Sequence, residues 1–239
     1  MNDAAKPSDH VVVVAPHPDD EAFGTGGILQ HAAAKGIRTS VVFVTDGELH
    51  TDHIPIRRDQ ARDAASILHI HDTYFLGYAA RKMRSWYDVA SELAIVFRDI
   101  EPTIVLLPHV AETDLDHHMV SMVGSEATWL AYSPHQHLAK ASPISTVLCY
   151  EIWTPIQRPG AVYSFQEDIM AVKEAALQCY TDEDNRYSLG SAARGLGAYR
   201  GSMYGEATFA EAFLIASYRS DSRLSQLINT HPDTPGTEG

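Results

Sequence analysis

Residues 10–15, HVVVVA, form a continuous apolar run rich in β-branched side chains. A strand of this composition has no polar face to offer to solvent, which is typical of a parallel sheet covered by helices on both sides. Further strand-like runs follow in RTSVVFVTDG, DTYFLG, TIVLLP and STVLCYEIW, with helical patterns between them. Because right-handed crossovers place such strands parallel in one sheet, the sequence predicts a Rossmann-like α/β fold with a mostly parallel sheet and helices on both faces.

The chain of 239 residues is predicted to form a single domain, residues 1–239, because no linker or internal repeat divides it. Residues 1–9 are expected to form a polar arm. The alternation of strands and helices weakens after about residue 155, and we expect a C-terminal subregion, about residues 155–218, that closes over the sheet edge. The tail, about residues 229–239, is predicted to be disordered.

Charge and composition exclude several classes of function. The formal net charge of −13 argues against nucleic acid or an anionic membrane as a partner, since both require clustered Lys and Arg. Cys149 and Cys179 form no CxxC pair, which argues against a disulfide framework or a thiolate zinc site. The sequence shows no secretory signal pattern and no apolar run of roughly 18 residues. We therefore expect a cytoplasmic protein without a membrane span, with homo-oligomer formation left open.

Three polar clusters follow predicted strands: PHPDDE after the first, TDGE (residues 45–48) after the second and PHVAETDLDHH (residues 108–118) after the fourth. In an open parallel sheet, ligands bind outside the carboxyl ends of the strands, where the loops converge. These clusters are distant in sequence but are expected to meet in space. The sequence therefore places the functional site at this edge of the sheet.

The residue types in these clusters suit a metal. His17 and Asp20 are three residues apart where a strand turns into a helix, so their side chains are expected to share one face. With one further histidine, for which we choose His117, they would form a three-ligand zinc site with an open fourth position. The alternative is that Asp19 or Asp20 only caps the following helix while His17 lies on the surface.

The segment from His17 to Glu21, HPDDE, with Gly26-Gly27 behind it, resembles the opening signature of the PIG-L/LmbE-like zinc-dependent N-acetylglucosaminyl deacetylases. VTDGE, IRRDQARDAASIL, DLDHHMV, KEAALQCY and FAEAF are also similar to segments of that family, and the resemblance spans about residues 10–215. It implies that His17, Asp20 and His117 bind Zn²⁺ or a substituting divalent transition metal, with Asp19 as the catalytic base. It further implies a hydrolase that removes the N-acetyl group from an N-acetylglucosamine-like sugar or its conjugate. The expected partner is therefore this small-molecule substrate.

Other positions are candidates for supporting roles. Asp116 is the natural partner to orient a ligand imidazole. Glu112-Thr113-Asp114 stands where the family often has Asp-x-His or Asp-x-Asn, so a histidine that could stabilise an oxyanion is missing. Ala79-Ala80 replaces the family's common Pro-Asp, which makes sugar recognition less certain than metal binding. The remaining candidates for contact with substrate or with the ligands are Arg57, Arg58, Arg81, Lys82 and Glu48.

Two alternatives of other classes stay open. The chain could be a non-catalytic nucleotide- or sugar-binding module in which PHPDD is only a capped turn. It could also be a metal-dependent phosphoesterase, although such sites commonly hold two metals and need more ligands than the sequence offers. The number of metal ions bound per chain would separate these three hypotheses.

Overall fold

The computed structural model describes residues 9–47, 53–83, 85–132, 144–181, 188–204, 207–218 and 229–230. Its strands are β1 (His10–Ala15), β2 (Arg38–Thr45), β3 (Asp72–Tyr78), β4 (Ile104–Pro108), β5 (Thr146–Tyr150), β6 (Ala161–Phe165), β7 (Phe209–Tyr218) and β8 (Asn229–Thr230). Its helices are α1 (Asp20–Ala34), α2 (Ile54–Ile67), α3 (Trp86–Ile100), α4 (Leu115–Tyr132), α5 (Glu167–Leu177) and α6 (Leu189–Tyr204). None of these helices combines the length and the apolar character that crossing a membrane requires.

The strands form one sheet in the order β3-β2-β1-β4-β5-β7-β6-β8. Strands β1 to β5 are mutually parallel, whereas β7 runs antiparallel to β5 and β6 runs antiparallel to β7. The predicted α/β fold with a mostly parallel sheet is therefore confirmed. The sequence analysis did not identify β6 and β7, because AVYSF and the segment around FAEAF mix polar and apolar residues and lack a long β-branched run.

The four valines of β1 explain why the most apolar run lies at the centre of the sheet. Val11 and Val13 belong to the core on one face, with side chains of α1, α2, α5 and α6. Val12 and Val14 belong to the core on the other face, with side chains of α3 and α4. Successive side chains of a strand point to opposite faces, so a strand covered on both sides must be apolar at every position.

Helix α1 contains three glycines close together. It begins at Asp20, and the GTGG stretch, residues 24–27, lies inside it. A Cβ at Gly24 would lie 2.3 Å from a ring carbon of Tyr150, and a Cβ at Gly27 would lie 2.9 Å from the Phe165 ring. These glycines let α1 approach the sheet closely, which places the first turn of the helix beside the carboxyl end of β1.

The C-terminal part of the chain extends the same sheet. Strands β6 and β7 add to the β5 edge, and α5 and α6 contribute to the core face that contains α1. Asn229 and Thr230 fall within the segment expected to be disordered, but they pair with β6 as the short strand β8. This pairing satisfies backbone groups along an edge strand that would otherwise face solvent. The polar arm up to residue 8 and residues 231–239 lie outside the described residues.

Candidate metal and catalytic site

Two distant segments meet at the carboxyl edge of the sheet. His17 lies in the turn after β1, Asp20 is the first residue of α1, and His117 lies in the first turn of α4. His17 Nδ1 and His117 Nε2 are 3.2 Å apart, and Asp20 Oδ2 lies 3.3 Å from each of them. Tetrahedral zinc with bonds of about 2.0–2.1 Å requires ligand atoms about 3.3 Å apart. The three donor atoms thus form a triangle of the size that one such ion needs.

Asp114 lies at the same site in a different role. One ligand atom each of His17, Asp114 and His117 lie within 4.8 Å of one another. However, Asp114 Oδ1 accepts backbone N–H groups of Asp116, at 2.9 Å, and of His117, at 3.4 Å, so it caps α4. The guanidinium of Arg81 binds both Asp114 oxygens. The shorter distances to both imidazoles favour Asp20 as the carboxylate ligand.

The electrostatic field of the site favours positive charge. Burial by itself would lower the pKa of His17, but hydrogen bonds to Asp116 and Asp20 outweigh it and raise the pKa to about 9. Burial likewise opposes charge on His117, yet Asp20 and Glu112 raise its pKa to about 10. Because carboxylates that stabilise an imidazolium also stabilise a bound cation, the charge pattern fits a divalent metal.

Asp116 orients His17. The carboxylate oxygen Oδ2 of Asp116 lies 3.0 Å from His17 Nε2 and accepts the backbone N–H of Arg81 at 2.8 Å. Since the pKa of Asp116 is lowered by its hydrogen bonds to His17 and Arg81, in spite of burial, its carboxylate is an acceptor and the proton of His17 points to it from Nε2. In the neutral imidazole with its proton on Nε2, the lone pair of Nδ1 faces Asp20 and His117. This is the arrangement that a metal-binding histidine requires.

Glu112 supports the other histidine. Its carboxylate lies 3.6 Å from His117 Nδ1, a buried atom without a hydrogen-bond partner. The same carboxylate accepts the backbone N–H groups of Ile152, Trp153 and Thr154. Burial opposes the charge on Glu112, but hydrogen bonds from His109 and these backbone groups, with His117 close by, hold its pKa at about 2. Glu112 therefore joins the loop after β5 to the loop after β4, directly behind His117.

Asp19 lies between the candidate ligands His17 and Asp20 in the chain, and both are close enough for their charges to act on its carboxyl group. It occupies the N-cap position of α1, yet its side chain makes no capping hydrogen bond. Its Oδ2 accepts instead from Arg57 Nη2 at 3.1 Å. Asp20 does not cap the helix either, because its Oδ2 accepts the backbone N–H of His17 at 2.9 Å. Burial, with Asp20 close by, raises the pKa of Asp19 to about 8.

The remaining candidates separate into two groups. Arg57 reaches the site through Asp19, whereas Arg58 pairs with Asp46, with Nε and Oδ1 2.7 Å apart, and stacks over Phe75. Glu48 lies outside the described residues. The sequence analysis assigned no role to Tyr180, whose hydroxyl donates to Glu21 Oε1. The only sequence signal for it was its place at the end of KEAALQCY, a segment already noted as similar to the family.

A family model and a related protein both match this chain, and both are described as deacetylases. The family model described as PIG-L, GlcNAc-PI de-N-acetylase, matches residues 12–128. The chain is 31% identical over 173 residues to the "uncharacterized deacetylase YaiS" of Escherichia coli K12, covering 70% of this chain and 88% of that protein.

Solved structures share the fold at lower identity. N,N'-diacetylchitobiose deacetylase from Pyrococcus horikoshii aligns with a TM-score of 0.76 and 22% identity, covering 88% of this chain and 84% of that one. GalB, the 4-carboxy-2-hydroxymuconate hydratase of Pseudomonas putida KT2440, aligns with a TM-score of 0.72 and 22% identity, covering 90% and 98%. The same fold thus occurs in a deacetylase and in a hydratase, so fold similarity alone does not define the reaction.

Proposed function

This chain belongs to the PIG-L family of de-N-acetylases, and we propose that it is a metal-dependent hydrolase that removes the N-acetyl group from an N-acetylglucosamine-like amino sugar or its conjugate. One observation carries the proposal. The donor atoms of His17, Asp20 and His117 lie 3.2–3.3 Å from one another, and the carboxylate of Asp19, the residue before Asp20, makes no capping hydrogen bond. Three donors and a separate carboxylate are what hydrolysis of an amide at a single metal requires.

Each residue has a defined part in this proposal. His17, Asp20 and His117 would hold Zn²⁺ or another divalent transition metal, and Asp116 would keep Nδ1 of His17 available by accepting the proton on Nε2. Such an ion, when bound, supplies a water of lowered pKa and polarises a carbonyl oxygen. Asp19 would accept the proton of the attacking water and later deliver it to the leaving amine. Arg57, which donates to Asp19 Oδ2, would hold this carboxylate in place.

The substrate class follows from the family and from charge. The matching family model is named for de-N-acetylation of a GlcNAc conjugate, and a net charge of −13 disfavours polyanionic substrates. We therefore propose a small N-acetylated amino sugar or glycoconjugate rather than a polynucleotide. Cys149 and Cys179 are both free thiols, which suits the reducing environment of the cytoplasm, where we place the enzyme.

The test is acetate release from a panel of N-acetyl amino-sugar conjugates by the zinc-loaded protein, beside aryl phosphates and an unsaturated dicarboxylate. We expect acetate from at least one conjugate, with about one metal ion per chain. Phosphate release with two metals would establish the phosphoesterase, and hydration of the dicarboxylate would establish a hydratase. Sugar binding without a metal and without turnover would establish the binding module.

A further inference from the structure

The backbone of Asp19 adopts a conformation that side-chain-bearing residues rarely occupy, with φ 122° and ψ −30°. This φ lies well beyond the left-handed helical region near +60°, where isolated Asp residues are sometimes found. A strained residue of this kind persists only when its surroundings hold it, and such residues cluster at functional sites. The question is which contacts hold Asp19.

Glu21 holds the amide of Asp19. Glu21 is 0% exposed, and its Oε2 accepts the backbone N–H of Asp19 at 3.0 Å. Its other oxygen, Oε1, accepts the hydroxyl proton of Tyr180 at 2.5 Å. A buried carboxylate needs a partner at each oxygen, since an unsatisfied buried acceptor is costly. Tyr180 therefore fixes the carboxylate that in turn fixes the backbone of Asp19.

Arg57 holds the other end of the same residue. Its Nη2 donates to Asp19 Oδ2 at 3.1 Å, and its guanidinium carbon lies 5.3 Å from the centroid of the Tyr180 ring. Tyr180 thus contacts both supports of Asp19, Glu21 through its hydroxyl and Arg57 through its ring face. The contacts form a closed circuit that brings together the turn after β1, the helix α2 and the short segment that follows α5.

We propose that Tyr180 is a positioning residue, which acts through Glu21 and Arg57 to hold Asp19 in the strained conformation that directs its carboxylate toward the site. The catalytic consequence rests on the proposed function, because it takes Asp19 as the base. Tyr180 lies outside residues 12–128, the segment that the family model matches. The C-terminal part of the chain would therefore contribute directly to the geometry of a motif at the start of the chain.

The hydroxyl of Tyr180 can be removed with little change in packing. Tyr163→Phe is a matched control, because Tyr163 is likewise 7% exposed and its ring stacks on Phe165, 5.7 Å between centroids, away from Asp19. In Tyr180→Phe we expect full metal content, an unchanged KM and a kcat lowered about 10- to 100-fold, since small misplacements of a reacting group have effects of this size. The control should keep the wild-type kcat.

A second readout does not depend on activity. The amide resonance of Asp19 in a ¹⁵N–¹H spectrum reports its hydrogen bond to Glu21, and it should shift in Tyr180→Phe but not in Tyr163→Phe. Should the wild-type protein release no acetate, a shifted resonance would still support the positioning role while the proposed function fails. An unmoved resonance in Tyr180→Phe, or a loss confined to KM, overturns the inference.

Glu21→Gln provides a second route if Tyr180→Phe does not fold. The amide group has one oxygen where the carboxylate has two, so it cannot accept from both Asp19 and Tyr180. We expect the same shift of the Asp19 resonance and a lower kcat with the metal retained. If this variant keeps the wild-type Asp19 resonance and the wild-type kcat, Glu21 does not position Asp19 and the inference fails.

Discussion

The segment from the end of β1 to the start of α1 supplies His17, Asp19 and Asp20 within four positions, whereas the segment from the end of β4 to the start of α4 supplies one histidine of the donor triangle, His117. In the first segment, one strained residue lies between two candidate ligands. In the second segment, Glu112 lies 3.6 Å from His117 Nδ1, Asp114 accepts the backbone N–H of His117, and Asp116 contacts His17 across the site. In the proposed function, the first segment supplies two ligands and the base, whereas the second supplies one ligand and the carboxylates that orient the histidines, so substitutions in the two segments should differ in size and in kind.

The largest effect is expected from His117→Ala, since His117 is the candidate ligand that the start of α4 supplies. The variant should lose its metal and all measurable acetate release while keeping its fold, because the loop lies at the sheet's edge. Metal analysis and circular dichroism check this. His118→Ala is the matched control, because His118 contacts the Val110 carbonyl and not the donor triangle. Full metal occupancy in His117→Ala would remove this residue from the ligand set.

Asp19→Asn should have the next largest effect, and the effect should be on kcat and not on metal binding. The amide cannot accept the proton of the attacking water, so kcat should fall by about 10²- to 10⁴-fold while the metal stays bound. Asp59→Asn, which breaks an exposed ion pair with Arg62 on α2, serves as the control and should behave like the wild type. Turnover near that of the wild type in metal-loaded Asp19→Asn would show that the base lies elsewhere.

Asp116→Asn should have an intermediate effect, because it changes the orientation of His17 and not the ligand itself. Metal affinity or activity should fall about 10- to 100-fold, as is usual when a partner of a metal-binding histidine is changed. Affinity can be measured by competition with a chelator. Asp72→Asn, which breaks an exposed pair with Arg38 at the start of β3, is the control. Equal affinities of Asp116→Asn and the wild type would separate Asp116 from the metal.

Glu112→Gln should have the smallest effect, and it should appear in stability. The amide can no longer satisfy the three backbone donors at residues 152–154 with two charged oxygens, so the free energy of unfolding should fall by about 1–3 kcal/mol. For a domain of this size each kcal/mol lowers the melting temperature by about 2–4 °C. An unchanged melting temperature with reduced metal binding would instead make Glu112 a partner of His117 alone.

The sequence predicted those features that depend on local pattern. The valines of β1 predicted a strand buried on both faces, and the spacing of His17 and Asp20 predicted two side chains on one side of a turn. The meeting of these residues with His117 followed from the rule that loops converge at the carboxyl ends of parallel strands. Each of these inferences uses residues close in sequence or one topological rule.

Features that depend on distant contacts could not be predicted. The φ of Asp19 is held by Glu21 and Tyr180, which are 159 positions apart. The role of Glu112 depends on backbone groups 40 to 42 positions away. The start of α1 at Asp20 depends on a glycine-rich helix fitting against Tyr150 of β5. No periodicity or motif spacing contains this information, because it arises only when the sheet is assembled.

The valines of β1 alternate between the two faces of the sheet, and the helices that cover these faces meet at the candidate metal site. Helices α1 and α4 pack on opposite faces of the sheet, yet their first turns bring Asp20 and His117 to 3.3 Å of each other. A cation held by both would link two helices that lie on opposite faces of the sheet. At a free cation concentration one hundred times its Kd, binding would raise the free energy of unfolding by about 2.7 kcal/mol. A chelator should then destabilise the starts of both helices together. Limited proteolysis should show this as new cleavage near the first turns of α1 and α4.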